Sequence, residues 1–149
     1  HLVYDSIRIK YDVVREDPKE KGVRKVLNFG HTIGHAVESY FMDTDAPISH
    51  GHAVAIGMVC ESWLSAQLST LEAGFPPALR EYVKGLYGPT HLPEEAVETM
   101  VETMRHDKKN THRGINFTLL QQVGCSSFDH YVEEPLIRQA LRFYNESGE

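Results

Sequence analysis

VLNFGHTIGHAVESY, residues 26–40, sets Asn28, His31 and His35 among apolar and small residues, with glycines at 30 and 34. A little further on, ISHGHAVAIGM (48–58) adds His50 and His52, so four of the nine histidines share one short span. The spacing predicts a helix over 23–41, ended by MDTDAP. At about 100° per residue, such a helix carries Arg24, Asn28, His31 and His35 within roughly 60° of one another. Its other faces are apolar, so the helix reads as buried, and buried polar side chains cost free energy unless something satisfies them. Gly30 and Gly34, one turn apart, would let another helix approach closely.

A single histidine in such a setting is ordinarily satisfied by hydrogen bonds inside a helical bundle. An aligned Arg/Asn/His/His stripe, with a further histidine at a helix start, points instead to neutral imidazoles on a divalent metal, zinc foremost, with Arg24 and Asn28 holding substrate oxygens. His31 and His35 are spaced like the pair of a zinc-protease helix. Thr32, however, stands where H-E-x-x-H places its glutamate base, which excludes that chemistry. His50 and His52 lie about 200° apart on a helix, so at most one of them faces the site. A catalytic zinc has three protein ligands and an open position, which leaves one ligand, often a carboxylate, to be found. Glu38 and Glu61 are available, and spacing singles out neither.

The rest of the chain bounds the answer. Its 149 residues are enough for one domain with a core of its own, and the net charge of −6 argues against a nucleic-acid or anionic-membrane partner. An anionic substrate must therefore be held by a few local cations. Cys60 and Cys125 lack paired or metal-knuckle spacing, which suits inert thiols in a reducing cytosol. No apolar run has the length of a membrane span. Val3, Ile7, Lys10 and Val14 share one helical face, so Lys10 either snorkels or points into a site. The chain enters this helix directly from His1 and reads as a piece of something longer. Pro18 and Gly22 break REDPKEKGVR (15–24). Further helices are predicted at 49–68, 77–86, 93–104 with Pro93 at N1, and 135–144. Only Gly114 to Leu120 looks strand-like, and a single strand makes no sheet without a partner. The class is mainly α, with at most one short strand or hairpin. Two charge runs, residues 17–25 and 104–114, the latter with Arg105, Lys108, Lys109 and Arg113, are either solvated loops or anion clamps.

RKVLNFGHTIGHAVES (24–39), HGHAVAIGM (50–58) and DKKNTHRGINFTLLQQVG (107–124), taken in order, resemble the C-terminal half of 3-dehydroquinate synthase. The resemblance covers nearly the whole chain and implies residues 1–149 as a single helical metal- and substrate-binding domain. An N-terminal α/β domain that binds NAD would be absent from this chain. It further implies His31 and His50 as metal ligands for Zn2+ or Co2+, with the third ligand a glutamate upstream of these residues. Lys10, Arg24, Asn28 and one lysine of Lys108 and Lys109 would contact substrate, and Glu20 and His35 would accept protons. The family motif reads H-G-E-A-V, whereas this chain has His52 in place of the glutamate. The implied reaction is that of an NAD- and metal-dependent carbon–oxygen lyase of the shikimate pathway. It converts 3-deoxy-arabino-heptulosonate 7-phosphate, a phosphorylated keto-sugar acid, to 3-dehydroquinate plus phosphate. The full-length enzyme would be a cytoplasmic homodimer, and the 149 residues alone would be inactive. The alternatives are a related sugar-phosphate cyclase, a glycerol dehydrogenase-like enzyme, or a non-catalytic helical metal-binding module.

Overall fold

Helix α3 (His50–Leu68) is apolar on nearly every side, and the other elements pack around it. The computed structural model describes residues 1–106 and 114–146. Among these, five more helices are α1 (Leu2–Glu16), α2 (His31–Met42), α4 (Phe75–Tyr87), α5 (Glu94–Arg105) and α6 (Glu134–Asn145). Ser49 caps α3, its hydroxyl accepting from the His52 N–H. This satisfies one of the first-turn donors that a helix leaves unpaired. Helices α2, α4 and α6 and strand β1 (Ile115–Gln122) lie against α3, burying Ile56, Val59, Cys60 and Leu64 completely.

The predicted 23–41 helix is in fact two elements. A 3₁₀ turn spans Val23–Asn28, and α2 begins only at His31. Gly30 separates them in a left-handed conformation, φ 83°, which a side chain rarely adopts. The break has a partner on α3: the fully buried Glu61 accepts the Gly30 N–H at 2.5 Å and the Ile33 N–H at 3.0 Å. A carboxyl group there accepts from the orphan donors of the α2 N-terminus. Arg24 and Asn28 therefore do not share a helical face with His31 and His35.

The close helix approach expected at Gly30 and Gly34 is present. A Cβ built on Gly34 would lie 2.9 Å from the Val54 Cα, and one on Gly57 would overlap the Gly30 carbonyl oxygen. The strand-like segment also finds its partner within the chain. β1 pairs antiparallel with β2 (Cys125–Val132) through a turn at Val123 and Gly124, with Ile115 opposite Val132 and Leu120 opposite Ser126. Strand β2, with the sequence CSSFDHYV, alternates too weakly to announce itself. Pro93 precedes α5 as its N-cap residue rather than occupying N1. The two cysteines are free, and burial pushes the Cys60 thiol far up, which makes it inert. No helix among the described residues is long and apolar enough to cross a membrane.

Candidate metal and substrate site

Three imidazoles meet where α2 faces the start of α3. His31 and His35 are one turn apart on α2, and His50 is the first residue of α3. One ring nitrogen from each lies within 4.8 Å of the others, and the ring centroids are 5.4–5.8 Å apart. His52, two residues on, points elsewhere: its ring stacks on Tyr87 at 4.4 Å and its Nε2 lies 3.3 Å from the Thr90 hydroxyl. Burial lowers the pKa of His52, so it packs as a neutral ring.

Beside the cluster lies a cavity of about 590 Å3, lined among others by Glu20, Asn28, His31 and His35. One wall is the 3₁₀ turn and the loop before it. There Asp17 accepts the N–H groups of Lys21, Gly22 and Arg24, and these bonds hold its carboxyl below the usual range. Within this loop Glu20 sits at φ 53°, a left-handed backbone that a non-glycine residue avoids, and its Oε1 accepts the Asn28 Nδ2–H at 2.7 Å. The opposite wall is the hairpin. Thr118 donates to the Lys25 carbonyl at 2.9 Å, and Lys25 Nζ donates to Asp129 at 2.6 Å. The Asn116 amide donates to the other Asp129 oxygen at 3.0 Å, and Lys25 and Asn116 together depress the Asp129 carboxyl.

Glu20, Asn28, His31 and His35 thus converge on one cavity, and His50 joins the imidazole cluster at its edge. Lys10 and Arg24 do not line it. Lys10 is exposed on α1, which buries no residue, and Arg24 Nη1 donates to the Pro18 carbonyl at 3.0 Å. The cations in the lining are Lys19 and Lys25, which the sequence presents only as members of a charge run. Lys108 and Lys109 lie outside the described residues. Neither candidate carboxylate joins the imidazoles as a further ligand. Glu61 caps α2, and Glu38 Oε2 accepts from His50 Nδ1 at 2.8 Å.

Glu61 also sets a pH dependence. Burial pushes its carboxyl up to about 8, against the downward pull of the Ile33, Gly30 and Thr32 N–H groups. In the unfolded chain the same group ionises near 4.5. Between those values the folded state holds the proton and the unfolded state does not, so stability falls as pH rises. Each tenfold difference in proton affinity between the two states is worth about 1.4 kcal/mol, so the whole fall amounts to a few kcal/mol. Urea unfolding is therefore expected to show a more stable protein at about pH 5.5 than at about pH 8.5, with a smaller difference in Glu61→Gln. Equal stability of the wild type at both values would contradict this.

Residues 1–110 match the family model described as 3-dehydroquinate synthase C-terminal. The chain belongs to that family. Within the 3-dehydroquinate synthases, the protein of Parabacteroides distasonis is 45% identical over 98% of this chain and 41% of its own length. That of Leptospira interrogans is 40% identical over 87% of the chain and 35% of its length, and that of Bacillus pumilus 34% over 99% and 40%. The chain thus spans about two-fifths of the length of its 3-dehydroquinate synthase relatives. Among solved structures, 2-deoxy-scyllo-inosose synthase complexed with carbaglucose-6-phosphate, NAD+ and Co2+ superposes with a TM-score of 0.74 at 24% identity, covering 92% of this chain and 38% of that one. At that identity the likeness concerns the fold, a helical arrangement that this chain shares with part of 2-deoxy-scyllo-inosose synthase.

Proposed function

We propose that this chain is the metal- and substrate-holding part of a 3-dehydroquinate synthase, acting on 3-deoxy-arabino-heptulosonate 7-phosphate. The observation that carries the reading is the meeting of three imidazoles at the edge of a cavity that also presents Glu20 and Asn28. The donor set fits a divalent ion, because imidazole nitrogen suits zinc and cobalt. His31 and His50 would hold it, each with its Nδ1 engaged by an oxygen acceptor. Bound there, the ion would act as a Lewis acid on an alcohol or carbonyl oxygen.

The remaining roles belong to the protein's own groups. Asn28 orients a substrate oxygen and steadies Glu20, whose carboxylate takes a proton within the cavity. His35, uncommitted to the ion, is the second proton acceptor. Lys25 adds a cation inside the cavity for the phosphate or carboxylate. The family resemblance also assigns substrate contacts to Lys10, Arg24 and one of Lys108 and Lys109, and of these Lys10 and Arg24 lie outside the cavity lining. NAD would be held mainly outside these residues, and the full-length enzyme would act as a homodimer in the cytoplasm. The relatives' names and the solved complex of a related cyclase with NAD+ and Co2+ support this assignment.

The test is phosphate release and 3-dehydroquinate formation by the full-length protein, supplied with the heptulosonate phosphate, NAD and Co2+. Turnover is expected, with His35→Ala lowering kcat by roughly a hundredfold or more. The 149 residues alone are expected to be inactive. No release by the metal-loaded full-length protein, or wild-type kcat in His35→Ala, would contradict the reading. The shared fold favours a related sugar-phosphate cyclase as the second reading, and turnover of a six-carbon sugar phosphate instead would select it.

A further inference from the structure

We propose that Glu38 is a positioning residue for the metal site, holding His50 as the tautomer protonated on Nδ1 so that bare Nε2 meets the ion. The proposal rests on the metal reading above. Glu38 follows His35 by three residues and His31 by seven, so all three lie along one face of α2. Its Oε2 accepts from His50 Nδ1 at 2.8 Å, which ties the first residue of α3 to α2. A proton on Nδ1 leaves the lone pair on Nε2, the atom that would meet the ion.

His31 is fixed in the same sense by a different acceptor. Its Nδ1 lies 3.2 Å from the Phe29 carbonyl oxygen, just ahead of the Gly30 break. A carbonyl can only accept, so this ring too carries its proton on Nδ1. The ring of His35 has no hydrogen bond among the described residues and meets His31 edge-on and His50 in a stack. Two of the three imidazoles are thus held in the form a metal ligand needs, and they are the two proposed ligands. The Glu38 side chain is 26% exposed and that of His50 54%, so removing the carboxylate leaves no buried hole.

The experiment uses the full-length protein, with Co2+ alone as the probe, in wild type, Glu38→Ala and Glu38→Gln. Nitrogen-15 NMR of the imidazoles reads the His50 tautomer without metal, and a Co2+ titration against a chromogenic chelator reads affinity. Wild-type His50 is expected to carry its proton on Nδ1. Glu38→Ala is expected to shift His50 toward the Nε2-protonated form and to weaken Co2+ roughly tenfold to a hundredfold, at an unchanged melting temperature. Glu38→Gln, which keeps an acceptor oxygen, is expected to fall between the two. A wild-type His50 protonated on Nε2, or Glu38→Ala with unchanged tautomer and Co2+ affinity, would overturn the proposal. Failure of wild type to bind Co2+ would overturn the metal reading itself, and the tautomer measurement would still decide the role of Glu38.

Discussion

Replacing Gly57 by alanine is expected to cost about 3 kcal/mol or more and to lower the melting temperature by roughly 10 °C. The added Cβ would overlap the Gly30 carbonyl oxygen and lie 2.7 Å from the Gly34 backbone nitrogen. Those two atoms form a hydrogen bond of 3.0 Å in the first turn of α2. Both belong to backbone, so no rotamer change relieves the clash, and α2 and α3 must move apart. Separation also strains the Glu61 bonds to Gly30 and Ile33, leaving a buried carboxyl group with poorer donors. Because His31 and His35 sit on one helix and His50 on the other, the same displacement opens the imidazole cluster. Thermal unfolding of Gly57→Ala beside Gly85→Ala checks this, since a Cβ at Gly85 meets nothing within 4 Å. Equal melting temperatures for the two variants would show that the helices are not held at backbone contact.

The residues at this junction show what is legible in the sequence and what is not. Helical periodicity locates α3 and α6 to within a residue or so, because long apolar patterns between turn residues leave little choice. The geometry of positions two apart on a helix separates His50 from His52, and the structure stacks His52 on Tyr87. Local pattern does not reveal the break at Gly30, since the donors freed there are satisfied by Glu61, thirty-one positions away. A glycine ahead of a polar helix start, with a glutamate inside an otherwise apolar helix, is the available signal. For the same reason periodicity puts Arg24 on a stripe that does not exist and leaves Lys25 within a charge run. Lys25 lines the cavity from the 3₁₀ turn and pairs there with Asp129 of the hairpin, whose second strand carries a weak pattern. Asn28 and Glu20 still meet in the cavity, because a tightly bonded loop brings them together rather than a common helical face.

At the proposed metal site, His31→Ala and His50→Ala are each expected to weaken Co2+ by about a hundredfold or more. That is at least as large as the loss typical of residues that merely orient a ligand. His31 and His50 come from different helices, each with Nδ1 committed to an acceptor, so neither can replace the other. His35 lies within the same 4.8 Å cluster, and distance alone would admit it as a ligand. On the proposed reading its ring, with no acceptor to fix a tautomer, serves proton transfer instead. His52 is neutral, packed on Tyr87, and its truncation should spare the metal. The most direct test is a Co2+ titration of wild type, His31→Ala, His50→Ala and His35→Ala, read by competition with a chromogenic chelator. The account predicts a collapse of affinity in His31→Ala and His50→Ala, and a wild-type value within a few-fold in His35→Ala. Wild-type affinity in His50→Ala, or a loss in His35→Ala equal to that in His31→Ala, would contradict it.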